Sequence, residues 1–284
     1  MDNFLNQNES MDEDSGTITG NERLTVDQAI ANLQGEHLGL RVYAAWWLGR
    51  FRVSEPSVIE RLIQSLEDEE DRTVAGGYPL RRNAARALGK LGDRRAVIPL
   101  IHCLQCSDFY VREAAALALE QLRDPLAIPA LIELLTTPAI PTVASDSLPP
   151  QPYDAILEAL GSLQAHDAVP FIHPFLSHQV ERIRCSALRA MYQLADSAAA
   201  ASMYGDQLIG MLSHPNLQLR RTVLADLGAI GYGAAAEAIA HTLAENSLKL
   251  ISLKGLLEKE LTGIHPSLLS PRAMQVMALM DDLL

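Results

Sequence analysis

The most distinctive side chains of this sequence are two adjacent tryptophans, Trp46 and Trp47, in the stretch RVYAAWWLGR. Neighbouring residues of a helix point about 100° apart, so one apolar stripe does not easily take both indoles. When similar segments of the chain are aligned, Trp47 falls in a mostly small slot and Trp46 in a mostly polar one. We therefore predict that Trp46 lies at the surface. Two interpretations stay open: a terminal helix covers both rings, or Trp46 is an aromatic platform facing a groove or a partner.

Arginines recur in the same segments, and guanidinium groups are suited to binding carboxylates. One slot holds arginine in most copies, and we predict that this ladder is structural, bonding neighbouring carbonyls or the Asp of an adjacent loop. Its members are Arg41, Arg81, Arg112, Arg184 and Arg220, with Tyr153 in the fourth copy. Arg82, Arg86 and Arg182 lie outside the slot and are predicted to be freer to meet a carboxylate ligand.

Few residues of the sequence are spaced as metal ligands or as a catalytic nucleophile with its base. Cys103 and Cys106 form a single C-x-x-C pair. A structural zinc site needs four ligands, so we predict no metal site and two small core residues instead. His166, His173 and His178 crowd the fourth repeat, where acid–base chemistry competes with a solvated or capping role. The sequence has no glycine-rich phosphate loop and no G-x-S-x-G elbow.

These side chains lie on elements that repeat. Segments such as LRVYAAWWLGRF, LRRNAARALGKLGD and VREAAALALEQLRD recur at intervals of roughly 30 to 40 residues. Each has apolar residues at helical spacing, then an acidic N-cap candidate such as Asp93 or Asp124, then a second helix such as AVIPLIHCL. One such hairpin cannot bury its own apolar face. The sequence therefore predicts an all-α protein, a right-handed α-solenoid of about six to seven short HEAT-like helical hairpins.

The repeats also set the predicted domain limits. The first residues are acidic and lack Lys and Arg as far as Glu22, which is typical of a disordered tail. Thr25 and Gln28 are predicted to form a capping box on the first helix. The predicted parts are a disordered acidic tail (1–22), an N-terminal capping helix (23–36), the solenoid (37–261) and a C-terminal capping or partner-docking helix (262–284), with Met274, Met277 and Met280 as its apolar stripe.

Two connections between repeats are longer than the others. They span 68–79 and 136–152 and fall between one hairpin and the next, so both should emerge from the same edge of the solenoid. Insertions on one rim usually shape a binding mouth, although a tolerated surface insertion explains them equally well.

Composition narrows the classes of function. Lys and Arg total 23 against 35 Asp and Glu, a net charge of −12, which argues against a sequence-independent grip on nucleic acid. Every uncharged run is shorter than the roughly 20 residues of a membrane-spanning helix. Three cysteines cannot make a disulfide framework. We predict a cytoplasmic protein with no nucleic-acid partner and no membrane insertion.

Three blocks of the sequence carry a more specific resemblance. LGLRVYAAWWLGRF, GGYPLRRNAARALGKLGDRRAVIPLI and DFYVREAAALALEQL closely resemble the E-like (alpha) subunit of the heterodimeric E/F-type phycocyanobilin lyases of cyanobacteria. The similarity covers roughly residues 24–260. The HEAT-like repeat alone is unspecific, whereas the YAAWWLG and GGYPLRRNAARALGKLGD blocks are much more specific.

The resemblance implies that phycocyanobilin, an open-chain tetrapyrrole, is the substrate and that no tightly bound cofactor is needed. It implies attachment of this bilin through a thioether to a cysteine of the phycocyanin alpha subunit. The partners would be an F-like lyase subunit in a heterodimer and the apo-phycocyanin alpha subunit. The main alternative is a non-catalytic HEAT-repeat adaptor or chaperone for phycobilisome proteins. A lyase that handles another bilin, or isomerises it, is a second alternative.

Residue type and repeat position suggest which side chains would serve a bilin. Aromatic rings would stack on its pyrroles, arginines would hold its propionates, and carboxylates would accept its pyrrole N–H groups. The predicted bilin-binding residues are Tyr43, Trp46, Arg82, Arg86, Tyr110, Arg112, Glu113 and Tyr153. No catalytic residue is assigned, and the candidates for proton transfer are Asp154, His166 and His173.

Overall fold

The computed structural model describes residues 24–136, 150–262 and 269–284, and within these ranges the protein is helical without strands. Its helices form two rows. The helices of the first row each pack on the next: α2 (Leu38–Arg50), α4 (Pro79–Leu91), α6 (Phe109–Leu122), α8 (Tyr153–Ser162), α10 (Glu181–Gln193), α12 (Leu217–Ile230) and α14 (Asn246–Leu261). The second row comprises α1 (Val26–Leu33), α3 (Pro56–Ser65), α5 (Val97–Cys103), α7 (Ile128–Thr136), α9 (Val169–Ile172), α11 (Ala198–Met211), α13 (Ala236–His241) and α15 (Pro271–Asp281). This is the predicted α-solenoid.

Local sequence signals set the helix ends. The Thr25 hydroxyl accepts the Gln28 N–H and the Gln28 side chain accepts the Thr25 N–H, which confirms the capping box. Asp93 and Asp124 cap short 3-10 turns by accepting the N–H groups of Arg95 and Leu126, as their position in the repeat predicted.

Glycine and alanine allow the first-row helices to approach closely. A Cβ added to Gly49 would lie 2.7 Å from the Cα of Ala87, and one added to Gly89 would lie 2.7 Å from the Cα of Ala118. The small slot of the repeat is therefore the contact between successive first-row helices. Trp47 occupies this slot in α2. Among the described residues, no first-row helix precedes α2. The partly buried Trp47 ring packs on the core, and its centroid lies 4.9 Å from that of Phe51. The missing neighbour explains why this copy accommodates a large residue.

The arginine ladder is structural, as predicted. Each member donates to a backbone carbonyl at the edge where first-row helices begin. The closest carbonyl contacts are Arg41 to Leu33 (3.1 Å), Arg81 to Asp68 (2.6 Å), Arg112 to Cys106 (2.7 Å), Arg184 to His178 (2.8 Å) and Arg220 to His214 (2.5 Å). These bonds tie the inter-repeat connections to the first-row helices.

Both long connections run from a second-row helix to the start of a first-row helix, so their ends lie at one edge. In the connection 68–79, Asp71 accepts the Leu80 N–H at 2.7 Å, and the N–H of buried Tyr78 donates to Asp108 at 2.7 Å. These bonds attach the connection to the repeats. Most of the connection 136–152 and the acidic tail 1–22 lie outside the described residues.

The last described helix, α15, closes the C-terminal end by burying Ala273 and Val276. Met274 and Met277 are exposed, whereas Met280 packs partly on the core, so the predicted stripe is divided between two faces. Among the described residues, no helix is both long and apolar enough to cross a membrane.

Candidate functional site

Successive first-row helices present side chains from equivalent slots on one side, which we call the first-row face. Residues three or four apart on a helix lie on the same side. Of the predicted bilin-binding residues, the face includes Tyr43 and Trp46 of α2, Arg82 and Arg86 of α4, and Tyr110 and Glu113 of α6; it also includes Asp154 of α8.

The aromatic end of this face is formed by α2. Tyr43 and Trp46 stack with centroids 5.5 Å apart and planes inclined by 30°, and they are 47% and 44% exposed. The N-terminal helix α1 therefore leaves Trp46 accessible, which resolves the two interpretations of the tryptophan pair: Trp47 is a packing residue and Trp46 a surface residue. An exposed aromatic pair on a rigid helix is suited to stacking on a flat apolar ligand.

Charged side chains on the next two helices adjoin one another. The Arg82 guanidinium lies 5.8 Å from the centroid of the Tyr110 ring, and Arg86 Nη2 lies 3.6 Å from Glu113 Oε2. Arg82 Nε is buried and has no hydrogen-bond partner among the described residues. Burial, assisted by the nearby charge of Asp154, raises the pKa of Glu113. The structure thus brings Arg82, Arg86, Tyr110, Glu113 and Asp154 into one polar neighbourhood.

Beyond this neighbourhood the face contains a buried ion cluster that the sequence did not predict. Arg189 Nη1 lies 2.8 Å from Glu158 Oε2 and 3.3 Å from Asp226 Oδ1, and its Nη2 lies 2.7 Å from Glu120 Oε1. Arg182 contacts Glu158, and lies 3.3 Å from Asp226 Oδ2 and 3.5 Å from Asp154 Oδ2. Arg182 is therefore committed to partners, and the prediction that it is free for a ligand is wrong.

The cluster also corrects the interpretation of the slot that Trp46 occupies. Glu158 and Arg189 share this slot in the fourth and fifth repeats, yet they are only 5% and 8% exposed. They are buried because oppositely charged partners from α6, α10 and α12 surround them. A slot that contains charged residues in several repeats is therefore not always at the surface. Because this slot contains both acidic and basic residues in successive repeats, the sequence pattern also fits a buried network of ion pairs.

The surroundings of Glu158 in the cluster favour the protonated form of its carboxyl group. Burial, followed by the charge of Asp226, raises the pKa of Glu158 to about 7 in spite of the two adjacent guanidinium groups. Burial also raises the pKa of Asp226, which is 1% exposed. The Ser186 hydroxyl donates to Glu158 at 2.9 Å.

Arg112 does not serve a ligand. Its side chain is fully buried, and it donates to the carbonyls of Cys106, Ser107 and Pro150 and to Gln151 Oε1. The prediction that it holds a bilin propionate is therefore wrong, because every nitrogen of its guanidinium already donates inside the protein.

Tyr153, another predicted bilin-binding residue, does not lie on the first-row face. Its half-buried ring packs on Phe175, with centroids 5.0 Å apart, and on His178 at 6.2 Å, and both partners belong to the second row. Burial raises its phenol pKa. The ring thus fills the space between the rows and does not line the first-row face.

The histidines predicted as proton donors lie elsewhere. His166 and His173 are exposed and belong to the short turns that flank α9 in the second row. No hydrogen bond or ion pair joins either residue to Asp154 in the described ranges. The structure therefore does not assemble the three candidates into one acid–base site.

Two of the three cysteines, Cys103 and Cys185, are not suited to act as nucleophiles. Burial raises the pKa of Cys103 and of Cys185 to about 12, so both remain thiols at neutral pH. Cys106 is partly buried, and all three are unbridged. Across the described ranges, no group of three or more His, Cys, Asp or Glu is arranged to hold a metal ion.

Comparisons with known proteins identify the same type of repeat and several related proteins. Residues 78–149 match HEAT repeats, and residues 40–68 match the PBS lyase HEAT-like repeat. The phycocyanobilin lyase subunit alpha of Microchaete diplosiphon is 62% identical over 96% of this chain and 94% of its own length. The bilin biosynthesis protein PecE of Mastigocladus laminosus is 42% identical over 84% of both chains.

A solved structure is also similar. One chain of the complex of CpcE and CpcF of phycocyanin lyase from Nostoc sp. PCC7120 has a TM-score of 0.84 and 55% identity, covering 97% of this chain and 100% of that one. The fold and the repeat matches define a HEAT-type α-solenoid. Within that class, the chain belongs to the family of phycocyanobilin lyase alpha subunits, which confirms the resemblance inferred from the sequence.

Proposed function

We propose that this chain is the alpha subunit of a lyase that attaches phycocyanobilin to a cysteine of the phycocyanin alpha subunit, together with an F-type partner. The observation that carries the proposal is 62% identity over 96% of the chain with a phycocyanobilin lyase alpha subunit. The likeness to a chain from a complex of CpcE and CpcF supports the partner. Docking of that partner on the exposed Met274 and Met277 stays a prediction.

The reaction is an addition that needs no redox partner and no leaving group. The sulfur of the acceptor cysteine bonds the exocyclic ethylidene carbon on ring A, the C=C bond becomes single, and a proton is added to the adjacent ring carbon. Because the nucleophile belongs to the acceptor protein, the raised pKa values of the Cys103 and Cys185 thiols are consistent with the proposal. The lyase contributes by holding pigment and thiol in a reactive geometry, which lowers the barrier by several kcal/mol.

The first-row face has groups that match the pigment. We assign Tyr43 and Trp46 to stacking on its rings. Glu113 and Asp154 would accept pyrrole N–H groups, and the raised pKa of Glu113 suits it to carry a proton. Arg86 would hold Glu113 in place through their existing contact, and Arg82 would position the ring of Tyr110.

Reconstitution tests the proposal directly. The chain, its F-type partner, phycocyanobilin and apo-phycocyanin alpha subunit are combined, and bilin fluorescence is scored on a denaturing gel. We expect a covalent band that requires both subunits and the acceptor cysteine. If the chain binds apo-phycocyanin but the band forms equally without it, the lyase proposal fails and the adaptor alternative is supported.

A further inference from the structure

The first-row face continues into a groove at the carboxyl ends of its helices. The groove has a volume of about 1170 Å³ and extends from Arg52, just beyond α2, to Lys259 of α14. We call it the basic groove, because its lining contains five cations and a single carboxylate, Glu120. The five cations are Arg52, Lys90, Arg123, Arg189 and Lys259. The chain as a whole has a net charge of −12, whereas the residues that line this groove have a net positive charge.

Three of these cations have no partner among the described residues. Within the described residues, neither a hydrogen bond nor an ion pair involves the side chains of Lys90, Arg123 or Lys259, whereas Arg52 donates to the Lys90 carbonyl at 2.8 Å. Several other surface arginines are paired, as Arg94 is with Asp124 at 2.7 Å and Arg95 is with Asp93 at 2.9 Å. Cations near helix carboxyl ends interact favourably with the helix dipole. That effect explains each cation separately but not their convergence on one groove.

The lining also contains buried polar atoms without partners. Arg189 Nε and Gln193 Oε1 are inaccessible to solvent and make no hydrogen bond in the described part of the chain, and Arg189 is only 8% exposed. A buried donor and a buried acceptor left unpaired both lower stability. The two residues lie one turn apart on α10, in the wall of the basic groove.

The basic groove and the charged part of the first-row face share helix α4. Lys90 follows Arg86 by about one turn of α4, a rise of about 6 Å. Arg86 already contacts Glu113, and Arg82 lies over Tyr110, so neither is as free for a new anion as Lys90. An anionic group that passes Arg86 therefore meets Lys90 one turn further along the same helix.

We propose that the basic groove binds the two propionate carboxylates of the tetrapyrrole through Lys90, Arg123 and Lys259, while the pyrrole rings occupy the aromatic end. This inference rests on the proposed function and deepens it by separating a ring subsite from a carboxylate subsite.

The test compares phycocyanobilin with its dimethyl ester, which lacks both negative charges. Each is titrated, with the absorption spectrum as readout, into the heterodimer containing the wild-type chain or the triple variant Lys90→Gln, Arg123→Gln, Lys259→Gln. The control is Lys254→Gln, which removes a positive charge from α14 outside the groove. We expect the triple variant to bind phycocyanobilin about tenfold more weakly, because each partly exposed charge pair contributes modestly. Its affinity for the dimethyl ester and the affinities of Lys254→Gln should be unchanged.

Two results would overturn the carboxylate subsite. One is a triple variant that binds phycocyanobilin as tightly as the wild type. The other is a triple variant that keeps the wild-type circular dichroism spectrum but loses phycocyanobilin and the dimethyl ester equally, since its three cations would then not act on the carboxylates. A wild-type heterodimer that binds neither compound would instead reject the proposed function, so the two failures are distinguishable.

Discussion

At the residue scale, neighbours in sequence have opposite roles because a helix turns them to different environments. Trp47 fills the inter-helix slot that has no first-row neighbour, and Trp46 stacks on Tyr43 at the surface. Arg82 and Arg112 differ in the same way: one lies over an exposed tyrosine, and the other is sealed among carbonyls. Residue type alone therefore does not separate a binding side chain from a structural one.

Replacing Trp46 tests the ring subsite. We expect Trp46→Ala to slow bilin attachment about fivefold to tenfold, because an aromatic pair contributes about 0.5–1.5 kcal/mol beyond burial. Trp46→Phe should retain most of the rate, and both variants should keep the wild-type circular dichroism spectrum. A normal rate for folded Trp46→Ala would exclude the indole from pigment binding.

Replacing Arg112 tests its structural assignment. Arg112→Lys removes several buried charged hydrogen bonds, so the free energy of unfolding should fall by about 2–3 kcal/mol. Attachment per folded molecule should not change, and the exposed control Arg50→Lys should leave stability unchanged. Urea unfolding and the gel assay measure the two quantities. Lost attachment with unchanged stability would return Arg112 to the binding site.

The buried carboxyl of Glu158 predicts a pH dependence. Its folded-state pKa of about 7 lies above its ordinary value of 4.5, so the folded chain binds more protons than the unfolded chain between these values. The free energy of unfolding should therefore fall as pH rises from about 4.5 to about 7. Glu158→Gln should reduce this slope without abolishing it, because the pKa of Asp226 is also raised. Urea unfolding at several pH values that gives equal slopes for both proteins would refute the assignment.

At the scale of the elements, stacking of the first row depends on missing side chains. Gly49 lies on Ala87 and Gly161 lies on Ala190, at distances that leave no room for another methyl group. Two helices this close gain dispersion contacts along their whole length. The same slots that allow this approach also fix the rotation of each helix, and therefore which side chains form the first-row face.

A pair of identical substitutions tests this packing. Gly49→Ala should lower the free energy of unfolding by about 1–3 kcal/mol, since the added carbon would lie 2.7 Å from the Cα of Ala87. Gly210→Ala, in α11, meets no atom within 4 Å and should stabilise the protein by about 0.4–1 kcal/mol. Thermal unfolding compares the two. Equal effects would show that helix propensity, not contact between successive first-row helices, decides both.

At the scale of the whole molecule, the solenoid is held by neighbour contacts, with one feature that spans several repeats. The ion cluster joins Glu120 of α6, Glu158 of α8, Arg189 of α10 and Asp226 of α12. The ends lack such a link: α1 and α15 each pack on neighbours from one side of the array. Stability in repeat proteins is close to a sum of such local terms.

This arrangement predicts a gradient of local stability. Backbone amides of α8 and α10 should exchange hydrogen most slowly, and those of α1 and α15 most rapidly. Native-state hydrogen exchange followed by mass spectrometry measures the order. Uniform protection from α1 to α15 would mean that the array opens as one cooperative unit.

The sequence by itself determined the features that depend on local periodicity. Apolar spacing gave the helices, the recurrence of one arginine slot predicted the carbonyl-bonding ladder, and Thr25 with Gln28 predicted the first cap. Each of these needs only residues within one repeat or the adjoining connection. The specific YAAWWLG block supplied the family, and the repeat comparison placed Trp46 at the surface.

Only the tertiary structure decided which distant side chains meet. Glu120 and Arg189 are 69 positions apart and lie within 2.7 Å, and the basic groove collects residues from Arg52 to Lys259. A repeat pattern shows that two residues share a slot, but the rise and rotation between stacked helices determine whether those slots touch, face solvent or line a groove. For that reason the sequence correctly aligned Arg112 and Tyr153 in the ladder slot, but did not show that these two residues and Arg182 contact other parts of the protein and not a ligand.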